Sequence, residues 1–236
     1  MATGSDAAPA GGGGVVAERL AAVRQRLAQA ATRAGRSPTE VTLVAVSKGH
    51  GVAAIRAAYD AGQRDFGENR AAELAAKAPL LPGDIRWHFI GTLQRRKVPI
   101  ARPHTTLLHS LDRPSLVAAW SRVDGSPPPA LVQVNAAGEE QKHGVAPGDV
   151  PALLAAAAAA GITCRGLMLI PPLPEQPEQS RPWFADLAEL RARLLPAWPS
   201  LAELSMGMTD DFEIAVSEGA TLIRVGRAIF GARVAG

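Results

Sequence analysis

Short runs of consecutive apolar residues alternate with longer amphipathic segments along most of the chain. The first run, residues 41–46, is built from Val, Thr, Leu and Ala, which is typical of a strand buried on both faces of a parallel sheet. Seven further runs follow it, each short enough to form a strand. The eight predicted strands are residues 41–46, 64–67, 85–91, 105–110, 130–135, 164–170, 202–206 and 221–225.

Apolar residues at helical spacing predict helices between most of these strands, and one helix before the first of them. The predicted helices are residues 15–34, 52–62, 69–77, 94–101, 114–122, 150–160, 182–195 and 210–219. This alternation predicts an α/β protein with eight parallel strands closed into a (β/α)8 TIM barrel, whose first helix covers the seam between strands eight and one. An open, doubly wound sheet is the alternative, but no Gly-x-Gly-x-x-Gly turn follows the first strand.

Length and composition fit one barrel domain, because such barrels commonly run to roughly 250 residues and this chain has 236. Residues 1–14 are small, polar and rich in glycine, so we predict a disordered tail there and the barrel in residues 15–236. The net charge is only +3, and the densest basic cluster, Arg95-Arg96-Lys97, is too short to indicate nucleic-acid binding.

The cysteine content indicates a reducing compartment. Cys164 is the single cysteine, so the chain forms no internal disulfide, and no metal-ligand spacing is present. No apolar run reaches the roughly 18 residues that a membrane-spanning helix needs. We therefore expect a cytoplasmic protein that binds neither membranes nor metal.

The most suggestive single residue is Lys48, which follows the first strand. Barrel proteins place their chemistry at the carboxyl ends of the strands. An ammonium held against apolar walls loses its proton more readily, and a neutral amine can form a Schiff base. The alternative interpretation is a solvated lysine at the end of a strand.

The segments after strands seven and eight suggest a phosphate site, which barrels often hold at this position. Ser205 offers a hydroxyl, Thr209 is the predicted N-cap of the next helix, and Gly226 opens a second short helix. Arg224 lies one residue before the end of an apolar strand, where its guanidinium must find an acceptor or reach water. A barrel with these features and Lys48 would suit pyridoxal 5′-phosphate (PLP).

The motifs at these strand ends resemble those of the pyridoxal phosphate homeostasis proteins, which adopt the barrel of the fold-type III PLP proteins. The matching motifs are Ala45-Val46-Ser47-Lys48, Phe66-Gly67-Glu68-Asn69, Trp87-His88-Phe89-Ile90-Gly91 with Leu93-Gln94 and Lys97, His109-Ser110-Leu111-Asp112-Arg113, Lys142-His143-Gly144, Gly166-Leu167-Met168, Leu204-Ser205-Met206-Gly207-Met208 with Asp210-Asp211, and Val225-Gly226 with Ala228-Ile229-Phe230-Gly231. The resemblance runs from residue 41 to residue 231.

The resemblance implies a PLP site in which Lys48 carries the cofactor, Ser205 and the Gly226 region contact its phosphate, and Arg224 lies near the pyridine nitrogen. The implied cofactor-binding residues are Lys48, Asn69, His88, Ser205, Met206, Arg224, Gly226 and Arg227. Arg227 stands where the family usually has threonine, so a hydroxyl contact to phosphate is replaced by a guanidinium.

The function that follows is intracellular PLP homeostasis, in which the protein buffers or delivers PLP held on Lys48 without efficient turnover. Apo forms of PLP-dependent enzymes are candidate partners, and we expect a monomer. The first alternative is an amino-acid racemase or a related fold-type III enzyme. Those enzymes add a second, β-rich domain and a catalytic tyrosine, whereas this chain ends just after strand eight and has only Tyr59, on the predicted helix after strand one. A Schiff-base aldolase acting on a sugar phosphate is the third interpretation.

Overall fold

A computed structural model of the chain describes residues 12–136, 138 and 143–232. Its eight strands form a closed barrel in the order of the sequence, and neighbouring strands are parallel throughout. The strands are β1 (Thr42–Val46), β2 (Asp65–Glu68), β3 (Arg86–Phe89), β4 (Leu107–Leu111), β5 (Ala130–Val134), β6 (Cys164–Leu169), β7 (Glu203–Ser205) and β8 (Leu222–Val225). The predicted (β/α)8 barrel is confirmed, and the open sheet is excluded because β8 pairs with β1.

Helices surround this barrel and follow the predicted rhythm. They are α1 (Gly12–Arg33), α2 (Val52–Asp60), α3 (Ala71–Lys77), α4 (Val98–Ala101), α5 (Pro114–Ser121), α6 (Val150–Ala159), α7 (Arg181–Leu194), α8 (Phe212–Ser217) and α9 (Arg227–Phe230). The predicted helix 94–101 is a 3-10 turn followed by the short α4. No helix in these described ranges is long and apolar enough to cross a membrane.

The predicted tail is wrong for residues 12–14, which form the first turn of α1, while residues 1–11 lie outside the described residues. A methyl group added at Gly13 would lie 3.7 Å from Ala57 Cβ, so this turn packs against α2. Val16, one turn later, is buried. Tertiary packing therefore overrides the low helix propensity of the glycines.

The N-terminal helix covers the seam as predicted. It contacts α2 and α8, which follow β1 and β7 in the chain. The guanidinium of Arg24 donates to the carbonyl of Ala61 at 2.8 Å and to Gln63 Oε1 at 3.1 Å. Arg26 donates to Glu213 Oε1 on α8 at 2.8 Å. The helix thus joins both sides of the seam.

Side chains alternate between the barrel interior and the helical layer, as the two-residue period of a strand requires. One small apolar cluster fills the lower interior, and its residues are Val44, Leu107, Leu131, Met168 and Leu222. His109 lies two residues after Leu107 on β4, and Arg224 lies two residues after Leu222 on β8; both are buried. The interior therefore changes from apolar to polar toward the carboxyl ends of the strands, where the candidate site lies.

Candidate functional site

A cleft of about 310 Å³ opens at the carboxyl ends of the strands, as expected for a barrel. Its walls come from the segments that follow β1, β2, β3, β6, β7 and β8. The residues that line it are Val46, Lys48, His50, Asn69, Ile90, Ile170, Met208, Thr209, Asp210, Arg224, Gly226, Arg227, Gly231 and Ala232. Five of the eight predicted site residues therefore meet in one cavity.

Lys48 lies in a tight turn that begins where β1 ends. The amide of His50 donates to the carbonyl of Ser47 at 3.0 Å, and Gly49 has a φ of 75°, which favours glycine. The amide of Gly49 donates to Glu73 Oε1 at 2.6 Å. Both neighbours of the half-buried Lys48 are therefore fixed, and its side chain reaches the cleft.

A buried ion cluster lies directly beneath this turn. Lys77 Nζ donates to Glu68 Oε1 at 2.7 Å, to Glu73 Oε1 at 2.6 Å and to the carbonyl of Ser47 at 3.0 Å. Ser47 Oγ also donates to Glu68 Oε1, at 2.7 Å. Burial raises the pKa of Glu68, although Lys77 and Ser47 act in the opposite direction. The cluster fixes both the side chain and the carbonyl of the residue before Lys48.

Arg224 reaches the floor of the cleft from β8, so its guanidinium points inward. Its Nη1 donates to Ser205 Oγ at 2.6 Å and its Nη2 to the carbonyl of Leu169 at 2.9 Å. The residue is only 4% exposed. Burial lowers the pKa of Arg224 to about 10, so the group still carries its charge at neutral pH.

Three predicted site residues lie outside the walls of the cleft. Ser205 and Met206 are fully buried and His88 is 4% exposed. The side chain of Ser205 enters the barrel interior, where it contacts Arg224, while Met206 packs in the main apolar core. The two side chains point to opposite faces because they are successive residues of the chain at the end of β7. Neither lines the cleft, whereas Thr209, four residues after Ser205, brings a hydroxyl-bearing side chain to its wall.

The segment after β7 also differs from the predicted helix start. Helix α8 begins at Phe212 with Asp211 as its N-cap residue, so the prediction that Thr209 is the N-cap was wrong. The buried carboxylate of Asp211 accepts from the amide of Met208 at 2.6 Å and from Ser180 Oγ at 2.9 Å. These bonds hold the segment 208–211 as a loop, which leaves Thr209 at the cleft.

An ion pair spans the rim of the cleft between the segments after β7 and β8. Arg227 Nη2 donates to both carboxylate oxygens of Asp210, at 2.7 and 2.8 Å. Both side chains are 66% exposed. Beside them Gly226 is the N-cap residue of α9, and the first amide N–H groups of a helix have no acceptor within the helix. The rim thus carries backbone amide donors beside the guanidinium of Arg227, which is paired with the carboxylate of Asp210.

Asn69 supplies an unsatisfied polar atom at the cleft. Its Oδ1 is buried and accepts no hydrogen bond from the described residues. A methyl group added at Gly91 would lie 2.4 Å from the carbonyl oxygen of Asn69, so the turn after β2 packs directly on the segment after β3. A buried acceptor without a donor is costly, and a bound polar molecule could satisfy it.

Comparison with known proteins gives the family. Residues 19–234 match the family model described as "Alanine racemase, N-terminal domain". A Pseudomonas aeruginosa protein named "Pyridoxal phosphate homeostasis protein" is 45% identical over 224 residues, which cover 92% of this chain and 96% of the relative. An Aquifex aeolicus protein of the same name is 40% identical and covers 92% of this chain. The chain belongs to the pyridoxal phosphate homeostasis protein family.

Solved structures agree with this assignment. PipY of Synechococcus elongatus, described as having PLP bound, is 39% identical, with a TM-score of 0.78 over 92% of this chain and all of that one. A Bifidobacterium adolescentis structure, described only as an unknown protein, gives a TM-score of 0.89 at 32% identity over 96% of this chain and 98% of that one. Alanine racemase from Corynebacterium glutamicum, at 17% identity and a TM-score of 0.68, shares the barrel fold with this homeostasis protein family member.

Two residues beneath the cleft, Lys77 and His109, are absent from the site residues that the sequence predicts. Lys77 shares the buried face of α3 with Ala71 and Leu74, six and three residues earlier, so a lysine on an apolar helix face is the signal in the sequence. His109 stands among apolar residues of β4, and a buried histidine in an apolar strand is the signal in the sequence. Of the motif Lys142-His143-Gly144, Lys142 lies outside the described residues.

Proposed function

We propose that this protein binds PLP in the cleft, holds it through Lys48, and acts in PLP homeostasis as a carrier. The observation that carries the proposal is the convergence on one cavity of an amine, a buried guanidinium and a rim of amide donors. These groups match the aldehyde, the ring and the phosphate of PLP. The relatives' names and the PLP-bound description of PipY support the same conclusion.

Each side chain then has a distinct task. Lys48 would hold the aldehyde of PLP, Arg224 would lie beside the ring nitrogen, and the amides at Gly226 and Arg227 together with the Thr209 segment would hold the phosphate. The buried Oδ1 of Asn69 would accept a hydrogen bond from the bound molecule. When bound, PLP supplies an aldehyde that reacts reversibly with amines and a ring that accepts electrons.

We propose that turnover is inefficient, in contrast to the racemase alternative. The charged Arg224 disfavours a proton on the ring nitrogen, which makes the ring a poorer electron sink. Among the described residues that line the cleft there is no tyrosine, and the hydroxyl of Tyr59 instead donates to Asp84 Oδ1 at 2.7 Å. Racemisation or deamination of any amino acid at about 1 s⁻¹ or faster would count against this assignment.

We expect the purified protein to take up PLP, to absorb visible light, and to become irreversibly labelled at Lys48 after borohydride reduction, because reduction traps an amine bound to the aldehyde. The Lys48→Ala variant should lose the label. Lys97→Ala, which changes a lysine outside the cleft, is the matched control and should keep it. A colourless protein that cannot take up added PLP would overturn the proposal and would favour the aldolase alternative.

We also expect Asp210→Asn to bind inorganic phosphate and PLP more tightly, roughly two- to fivefold at low salt. The substitution removes a carboxylate from the rim of an anion site and frees the Arg227 guanidinium. Titration calorimetry measures the affinity, and the gain should shrink as salt screens the rim. Glu189→Gln, on an exposed pair with Arg193, is the control. Weaker phosphate binding by Asp210→Asn would show that the anion is held elsewhere.

We further propose that the protein works in the cytoplasm as a monomer and that apo PLP enzymes accept its cofactor. The single cysteine supports a reducing compartment. Cys164 is buried, and burial raises the pKa of its thiol to about 12, which leaves it protonated and unreactive. Delivery is tested by mixing the PLP-loaded protein with the apo form of a PLP-dependent enzyme. If PLP passes directly between them, the enzyme's activity should return faster than spontaneous release of PLP into solution allows.

A further inference from the structure

A continuous line of hydrogen bonds runs through the interior of the barrel below Arg224. Arg224 Nη1 lies 2.6 Å from Ser205 Oγ, which lies 2.9 Å from His109 Nδ1. His109 Nε2 lies 2.8 Å from His88 Nδ1, and His88 Nε2 lies 3.1 Å from Asp65 Oδ1. The line therefore joins the floor of the cleft to Asp65, at the opposite end of the barrel, where β2 begins.

All five residues of this line are buried. Ser205 and His109 are fully buried, His88 and Arg224 are each 4% exposed and Asp65 is 8% exposed. Burial lowers the pKa of His109 well below its usual value, and His88 and Arg224 lower it further, so this imidazole is neutral. Burial raises the pKa of Asp65, but hydrogen bonds from His88 and Arg86 outweigh it, so its carboxylate stays ionised. Buried polar groups of this kind must pair with one another.

The chemistry of the partners allows one direction of donation that uses every hydrogen. Arg224 can only donate, so Ser205 Oγ accepts from it and turns its own hydrogen toward His109 Nδ1. The neutral His109 then carries its hydrogen on Nε2 and donates to His88 Nδ1. His88 in turn donates from Nε2 to the carboxylate of Asp65, which can only accept.

The reverse direction fails at both ends of the line. If His109 donated to Ser205, that hydroxyl would accept two hydrogen bonds and its own hydrogen would lack an acceptor among the described contacts. If His88 gave a single hydrogen to His109, the lone pair of its Nε2 would face the carboxylate of Asp65. If hydrogens stood on both nitrogens of His88, the fault at Ser205 would remain. Each fault leaves a buried polar group unsatisfied, which is costly.

We propose that His109, supported by His88 and Asp65, is a positioning residue that orients Ser205 and so fixes the guanidinium of Arg224 at the floor of the cleft. The role toward the cofactor rests on the proposed function, in which Arg224 faces the PLP ring. The oriented relay is a property of the chain itself. A rigid, correctly aimed guanidinium loses less freedom when the ring arrives, so the relay raises the affinity for PLP.

The direction of the relay is testable without PLP. Two-bond ¹H–¹⁵N correlation spectra of the ¹⁵N-labelled apoprotein near neutral pH distinguish the two tautomers of each histidine. His88 and His109 should each carry a hydrogen on Nε2 and none on Nδ1. A hydrogen on Nδ1 of either ring would overturn the oriented relay, and this result is independent of whether the protein binds PLP.

The positioning role is tested by two substitutions of the same residue. His109→Leu removes both hydrogen bonds and should weaken PLP binding about tenfold and shift the absorbance maximum of bound PLP. His109→Gln can accept and donate at similar positions and should stay within about threefold of the wild type. Ser205→Ala breaks the same line with a smaller change of volume, and it provides the answer if His109→Leu does not fold.

Wild-type affinity and absorbance in folded Ser205→Ala and His109→Leu would overturn the positioning role. Equal loss in His109→Leu and His109→Gln would also overturn it, because a glutamine restores the polar contacts. If the wild type itself binds no PLP, the proposed function fails, while the tautomers in the apoprotein still decide whether the relay exists.

Discussion

Replacing Lys77 with methionine should lower the free energy of unfolding by about 3–5 kcal/mol near neutral pH. The ammonium contacts Glu68, Glu73 and the carbonyl of Ser47 at 2.6–3.0 Å. Its side chain is 9% exposed and that of Glu68 is fully buried. Removal of one partner leaves the Glu68 carboxylate buried without its counter-charge, which is the costly way to change a buried ion pair.

The cost should depend on pH. Burial already raises the pKa of Glu68, with Lys77 opposing it, so the methionine variant removes the opposing charge and the pKa rises further. A carboxyl group with a folded-state pKa above the unfolded value contributes stability that is complete below the unfolded pKa. That stability is lost as pH rises through the folded-state pKa. Chemical denaturation should therefore show a larger deficit at about pH 8 than at about pH 5.

Two controls separate this effect from a general loss of charge. In the double variant Glu68→Leu/Lys77→Met the orphaned charge is absent, so it should be more stable than Lys77→Met alone. Arg193→Met breaks an exposed pair with Glu189 at the same four-residue helical spacing and should cost less than about 1 kcal/mol. Equal costs for Lys77→Met and Arg193→Met would show that the buried cluster adds no stability.

Apolar runs and helical spacing were sufficient to predict the barrel, because strands buried on both faces leave a strong and repeated signal. The errors fall where tertiary contacts override local preference. Glycine disfavours a helix, yet Gly12–Arg33 begins with three glycines, of which Gly13 lies against Ala57 of α2. Helix α8 begins two residues later than the predicted residue 210. The buried carboxylate of Asp211 accepts from the amide of Met208 and from Ser180 Oγ, and these bonds hold the preceding residues as a loop.

The cleft lies at the end of the barrel where the sequence predicts the site, because parallel strands bring their carboxyl ends together. Lys48 and Arg224 meet in the cleft as expected. Ser205 and His88 lie beneath the cleft, since the tilt of a strand decides whether its last side chain faces the interior or the mouth. The pairing of His88 with His109 across β3 and β4 depends on strand register, which a single sequence does not specify.

Gly166→Ala should be among the most destabilising single-methyl changes in the protein, at about 3 kcal/mol or more. Gly166 lies in β6 directly opposite Glu203 of β7. A Cβ at this position would lie 1.9 Å from the carbonyl oxygen of Glu203, 2.6 Å from its carbonyl carbon and 2.8 Å from its Cα. All three are backbone atoms, so no side-chain rotation can relieve the overlap and the two strands must separate.

Separation of β6 from β7 should also reach the cleft. Met168 pairs with Ser205 two residues along the same ladder, and Arg224 donates to both Ser205 and the carbonyl of Leu169. Gly166→Ala should therefore lose PLP affinity together with thermal stability. Gly148→Ala is the matched control, because a methyl group there meets nothing within 4 Å and the change should cost little or slightly stabilise the protein. Equal melting temperatures for Gly166→Ala and Gly148→Ala would contradict this prediction, because they would show that β6 and β7 accommodate the methyl group without loss of stability.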